Sequence, residues 1–118
     1  MNERELNIGI KSKTIVVCVD DPGPGGACHE YYIRMPNSEM SAIGISFQMG
    51  PIEEEGAYGC QNEDLLAIVI DRLRGFQTGK FSCRENAIAL TKLEESLMWL
   101  NKRTRDRIKR GVEGKNIK

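Results

Sequence analysis

Along the first half of the chain, apolar and polar residues alternate at a period of two; along the second half the period lengthens to that of a helix. Lys13 to Asp20 is a short run rich in β-branched residues, and it ends in Asp21-Pro22-Gly23-Pro24-Gly25-Gly26, where the backbone is primed to reverse. From Ala27 to Met35 the residues Ala27, His29, Tyr31, Ile33 and Met35 fall on one side and Cys28, Glu30, Tyr32 and Arg34 on the other, as in a half-buried strand. After a break at Pro36-Asn37-Ser38, the apolar residues Ile43, Ile45, Phe47 and Met49 alternate with Gly44, Ser46 and Gln48 and predict a third strand. The gaps between these strands are too short for parallel crossovers, so the expected arrangement is an antiparallel meander. Gly50-Pro51 ends it, and the acidic run Glu53 to Glu55 reads as a solvated connection.

Asn62 then offers a helix N-cap, with Glu63 and Asp64 in the first turn where the helix dipole favours negative charge. Leu65, Leu66, Val69, Ile70 and Leu73 form an apolar stripe at helical spacing, with Arg72 and Arg74 off it, and this helix is expected to end near Gly75 to Gly79. Ser82 and Glu85 have the spacing of a capping box for a second helix, whose buried face continues through Leu90, Leu93, Leu97 and Leu100 and which ends at Gly111. The fold class is therefore α+β: an antiparallel sheet region over residues 1–60 and an antiparallel helical hairpin over 61–118, within one compact domain.

The 118 residues carry 17 basic and 17 acidic side chains, so no net field draws the protein toward nucleic acid or a membrane, and any anion site must be local. The charged segment Met1 to Leu6 has no apolar signal-peptide core, and no stretch is long enough to span a bilayer; a cytoplasmic protein is expected. Cys18, Cys28, Cys60 and Cys83 are irregularly spaced without a C-x-x-C pair, and His29 is the single histidine, so no metal site is expected from ligand spacing and the thiols are read as reduced. Nor is there a nucleophile elbow, a phosphate loop or a zinc-binding H-E-x-x-H helix, and adjacent acids such as Asp20-Asp21 point in different directions. Neither a catalytic set nor a cofactor is expected.

Two segments stand out. Gly75 to Asn86 gathers two aromatics, two glycines and several polar side chains around one helix-helix loop. Asn86 lies four residues before Leu90 and so continues the leucine stripe; a buried amide there needs a partner, which can be the opposing backbone or a ligand. Phe76 can equally close the hairpin core. At the end of the second helix Arg103, Arg107 and Arg110 recur at i, i+4 and i+7 among further basic residues. Part of this charge complements the helix dipole, while planar guanidinium forks also suit phosphate, leaving a solvated face, a nucleotide site and a nucleic-acid patch as alternatives.

The segments Asn62-Glu63-Asp64-Leu65-Leu66, Gly75-Phe76-Gln77, Ser82-Cys83-Arg84-Glu85-Asn86-Ala87, Leu93 to Asn101 and Arg110-Gly111-Val112-Glu113-Gly114 together resemble the helical hairpin of the phage Thoeris anti-defence sponges. A related family of anti-CBASS sponges has a similar hairpin without a sizeable strand-rich region before it, so the sheet here favours the Thoeris branch. The resemblance implies a non-enzymatic homo-oligomer, a dimer or a hexamer made of dimers, that holds a cyclic ADP-ribose isomer made by a TIR-domain enzyme, with cyclic di- or trinucleotides as further ligands. It implies ligand-binding roles for Phe76, stacked on adenine, for Asn86 through a hydrogen bond, and for Arg103 and Arg107 on the phosphates; Arg84 and Arg110 are further candidates. Since Asn86 and Arg103 stand about 25 Å apart along one helix, a shared ligand requires the second helices of two protomers to run antiparallel. The competing expectation is a small nucleic-acid-binding regulator using the basic helix end.

Overall fold

The computed structural model describes residues 3–10, 13–35, 38–56 and 58–118. They divide into two compact units, Met1–Cys60 and Gln61–Lys118. The first is a four-stranded antiparallel meander in the order β1 (Arg4–Glu5), β2 (Ile15–Cys18), β3 (Glu30–Met35) and β4 (Ser38–Ser46). The register pairs Cys18 with Tyr31 and Val16 with Ile33, and on the far side Tyr31 with Ile45 and Ile33 with Ile43, so one face carries a continuous row of β-branched and aromatic side chains. Phe47 meets Tyr31 edge-on at 5.7 Å. The core is thin: Val17 and Cys18 are its buried apolar residues among those described.

Several strand limits differ from the sequence expectation. The first expected strand shortens to Ile15–Cys18, because Asp20 is spent on the backbone N–H groups of His29 and Glu30 and not on the ladder. The second begins at Glu30, since Ala27 to His29 still belong to the turn. The third runs from Ser38 to Ser46, earlier than the apolar alternation suggested, with a register shift between Arg34 and Met35; Phe47 follows it, donating its N–H to His29 O at 2.8 Å and bridging Cys60, and Met49 lies beyond the sheet. The expected break at Pro36-Asn37 falls outside the described residues. Arg4–Glu5, read as a charged terminus, adds a short edge strand, and the acidic connection holds a helical turn, α1 (Ile52–Glu55), ended by Gly56 at φ 80°.

The second unit is a pair of helices, α2 (Asn62–Gln77) and α3 (Arg84–Arg110), joined by residues 78–83. The short connection turns the chain back on itself: Arg74 bonds Glu94 at 2.7 Å, and Ala67, Ile70 and Arg74 of α2 line a groove shared with Glu94, Leu97, Asn101 and Arg105 of α3. Gln61, not Asn62, caps α2, because Asp64 sits three residues beyond it and its carboxylate accepts from the Gln61 N–H at 2.8 Å. Cys83, not Ser82, caps α3: its sulfur accepts from the Asn86 N–H at 3.4 Å. Val69, expected on the buried stripe, is 43% exposed, since a lone partner helix covers only a narrow seam. α3 closes on Gly111 at φ 73°, whose N–H reaches Ile108 O while the Val112 N–H reaches Arg107 O, a Schellman end that glycine alone forms without strain. No helix among the described residues is long and apolar enough to cross a membrane.

Candidate functional site

The hairpin loop is held by its own polar groups. The Gln77 amide donates to Cys83 O and accepts from Cys83 N, both at 3.1 Å, so one side chain stands in for a missing pair of backbone bonds across the turn. Thr78 Oγ1 donates to Gly75 O at 2.7 Å, and the Ser82 N–H reaches Gly79 O at 3.1 Å. These bonds fix the ends of the two helices relative to each other and set the surrounding side chains on a rigid base.

Around this base sit two aromatic rings and two cations. Phe76 is half-buried; the Arg72 guanidinium lies 5.0 Å from its centroid, and Phe81 meets it edge-on at 6.4 Å. Lys80 stands 5.5 Å over Phe81, which is itself 65% exposed. Asn86 is half-buried on the leucine seam, as its spacing predicts. Its Nδ2 reaches Phe81 O at 3.5 Å, a marginal bond, and its Oδ1 has no hydrogen-bond partner among the described residues. The loop end therefore presents the exposed Phe81 ring beside the half-buried Phe76, flanking positive charge and an amide with an unpartnered oxygen among the described residues. Arg84, in the first turn of α3, is exposed and makes no bond among the described residues. Arg72 and Phe81 carry no role in the sequence reading; the signal for Arg72 is its position four residues before Phe76, which places it on the same helix face.

The basic end of α3 is organised differently from the expected three-arginine face. Arg103 is exposed and, among the described residues, free of ion pairs and hydrogen bonds. Lys102 is paired with Asp106 at 2.7 Å, and this hydrogen bond holds the Asp106 carboxyl below its usual range. Arg107 turns inward and is only 8% exposed. Its Nη2 donates to Val112 O at 2.8 Å and Lys115 O at 2.9 Å, its Nη1 donates to Ile117 O, and its Nε meets Glu113 at 3.4 Å. Arg110 bonds Lys118 O at 2.6 Å. Thus Arg107 and Arg110 bind the segment that follows the helix, and Arg103 alone of the three is uncommitted.

Phe76 and Asn86 both lie at the loop end of the hairpin, each beside Phe81, and Arg103 lies toward the other end. The single unbroken helix between them keeps Asn86 and Arg103 about 25 Å apart within a protomer. Trp99, 58% exposed, lies four residues before Arg103 on a face away from the leucine seam. Ile68, Val69, Ile88, Met98 and Ile108 are also exposed, apolar side chains that the hairpin alone does not cover.

Comparison with known proteins supplies a lineage for this arrangement. A profile described as Acb2/Tad1, hairpin domain, matches residues 41–105, more than half of the chain. The protein named Thoeris anti-defense 1 from Bacillus phage SBSphiJ7 is 62% identical over 74 residues, covering 63% of this chain. The chain spans 52% of that relative's length.

Proposed function

The chain belongs to the Acb2/Tad1 hairpin family, and from that premise we propose that it is a phage anti-defence sponge: it binds a cyclic ADP-ribose isomer made by a TIR-domain enzyme in the host cytoplasm and so blocks Thoeris immunity. The observation that carries this reading is the loop end of the hairpin, which holds both the Phe76 ring beside Arg72 and the Asn86 amide, whose Oδ1 has no partner among the described residues. An aromatic face stacks on a base, an amide reads its edge, and guanidinium groups offset phosphate charge. No acid, base or nucleophile is needed. Sequestration works by mass action: an abundant protein that releases its ligand slowly leaves little free signal for the effector.

The pocket on this reading is composite. Arg103 of one protomer reaches the ligand at Phe76 and Asn86 of another across an antiparallel pair of α3 helices, giving two equivalent sites per twofold dimer. The exposed apolar residues of the hairpin supply the surface for such a dimer, and dimers can assemble further into a hexamer. Arg107 joins the phosphate contacts once its carbonyl partners let it go. Arg84 and Arg110 are the further ligand candidates, and cyclic di- or trinucleotides are secondary ligands. A nucleic-acid face at the basic end is less well supported, because Arg107 is turned inward and Lys102 is neutralised by Asp106.

The test is calorimetry against cyclic ADP-ribose isomers and cyclic oligonucleotides, followed by heating of the complex and chemical identification of what is released. Intact signal returned on heating is the expected result. A hydrolysed product would show an enzyme, and no uptake of any nucleotide would leave only a structural module.

A further inference from the structure

The sheet unit holds a polar cluster that the nucleotide reading does not use. Cys18 ends β2 and is 1% exposed; Asp20 follows it, and Cys28 stands just before β3. Ten positions separate the two cysteines in the sequence, but the Pro/Gly turn folds them together. Cys18 Sγ lies 3.5 Å from Asp20 Oδ1 and 3.4 Å from Asp20 O, and Cys28 Sγ lies 3.5 Å from the same carbonyl. The two sulfurs and a carboxylate oxygen are all within 4.8 Å of one another.

We propose that Cys18, Asp20 and Cys28 form a site for a thiophilic divalent cation of the zinc type. Zinc binds thiolate at about 2.3 Å and carboxylate oxygen at about 2.0 Å in a tetrahedron, which sets the sulfur–oxygen edge near 3.5 Å and the sulfur–sulfur edge near 3.8 Å. The Cys18 Sγ–Asp20 Oδ1 separation of 3.5 Å already matches the sulfur–oxygen edge, and the remaining pairs, within 4.8 Å, need approach by no more than about 1.3 Å. The charge also closes. Two thiolates and a carboxylate carry three negative charges; a divalent cation and the Arg4 guanidinium, whose Nη2 is 3.9 Å from Cys28 Sγ, carry three positive ones. Arg4 reaches this place because β1 pairs it with Cys18.

Outer contacts fix the ligands as a metal site requires. Asp20 Oδ2 accepts from the His29 N–H at 2.9 Å, and Oδ1 accepts from the His29 and Glu30 N–H groups at 3.2 Å, so the carboxylate is aimed before any ion arrives. Arg4 would donate to the Cys28 thiolate from outside the ligand shell. The site also answers a structural need, since a small unit whose buried apolar residues, among those described, are Val17 and Cys18 gains from a cross-link between the end of β2 and the start of β3. Carboxylate and thiolates leave a fourth position for water or the Asp20 carbonyl.

Cobalt(II) provides the test, because thiolate coordination gives sulfur-to-metal charge-transfer bands and tetrahedral geometry gives intense visible ones. The full chain is titrated under a non-thiol reductant, and zinc is then added to displace the cobalt. Saturation at one cobalt per chain, with loss of the charge-transfer bands in Cys28→Ser, weakening in Asp20→Asn and no change in Cys60→Ser or Cys83→Ser, is the expected pattern. Arg4→Ala should weaken affinity by roughly 10- to 100-fold, as outer-shell changes do. Bands that never form, that survive Cys28→Ser, or that vanish in Cys60→Ser or Cys83→Ser would overturn the site. Should the buried Cys18→Ser fail to fold, Cys28→Ser suffices as the ligand deletion, and its circular dichroism must match the parent. Every proposed ligand lies in the sheet unit, so the outcome is separable from nucleotide uptake at the hairpin.

Discussion

Replacing Arg107 with alanine should destabilise the hairpin far more than a surface arginine would. The guanidinium is 8% exposed and donates to three backbone carbonyls of the segment 112–117, besides meeting Glu113. Hydrogen bonds from charged groups contribute about 1.5–3 kcal/mol each net, but these carbonyls regain water once the segment detaches, so the losses do not sum. A charge in the last turn of α3 adds about 0.3–1 kcal/mol through the helix dipole. The working expectation is a loss of about 2–4 kcal/mol, read as a fall of roughly 10 °C or more in the Tm of a unit this small. Thermal melting at fixed protomer concentration measures it, with amide exchange at residues 112–117 as the local readout. Stability within about 0.5 kcal/mol of the parent and unchanged exchange in that segment would refute the argument, for those are the limits of an ordinary surface substitution. Deleting residues 113–118 separates the two roles of Arg107. If the segment and the ligand compete for one guanidinium, the shortened protein binds nucleotide more tightly; unchanged or weaker binding assigns Arg107 to structure alone.

Phe76→Ala should weaken nucleotide binding by roughly 5- to 150-fold in calorimetry, the range for one stacked base, and Asn86→Ala by a comparable amount, while both keep the parent helicity. Trp99→Ala should shift the sedimentation profile toward the protomer, because an exposed tryptophan beside other apolar residues is the kind that anchors an interface; an unchanged profile would place the interface elsewhere. For Asp20, burial pushes the carboxyl up, but the N–H groups of His29 and Glu30 and the Cys18 thiol together hold it below its ordinary value. A depressed folded-state value means that its stabilisation is complete above the unfolded pKa and is lost as the pH falls through the folded one. The urea midpoint, measured with a chelator present, should therefore drop as the pH falls through and below the ordinary carboxylate range, and Asp20→Asn should flatten that drop.

How much of the fold and site is legible in the sequence depends on whether the deciding partner lies on the same element. Asn86 follows from the leucine stripe, and the structure extends that stripe as 86, 90, 93, 97, 100, 104 and 107, each residue less exposed than its neighbours. The same step carried two positions further places Arg107 inward, whereas charge type alone puts it on the wrong face. Gln61 is hard to see because asparagine is the better intrinsic cap, yet the position of Asp64 decides the matter. Val69 satisfies the helical period but stands beside too narrow a neighbour to be covered. Cys18 and Cys28 are unreadable as a pair, because their approach depends on the register of β2 against β3 and on a turn whose geometry the glycines leave open.

The hairpin's incomplete core and its proposed ligand site bear on each other. A protomer that leaves Ile68, Val69, Ile88, Met98, Trp99 and Ile108 exposed has apolar area to bury by assembling, and the unbroken α3 holds Asn86 and Arg103 near its opposite ends. Neither end is a complete site: one has the ring and the amide without a free phosphate ligand on α3 beyond Arg84, and the other has the free guanidinium of Arg103 without a stacking ring other than Trp99. The proposed antiparallel pairing would join them in one step. If the pocket is shared as proposed, ligand binding and assembly are linked, so that each nucleotide captured stabilises the dimer by the same free energy with which the dimer favours capture. The dimer dissociation constant should therefore fall when saturating cyclic ADP-ribose is present, and a dissociation constant indifferent to ligand would show that each protomer binds alone.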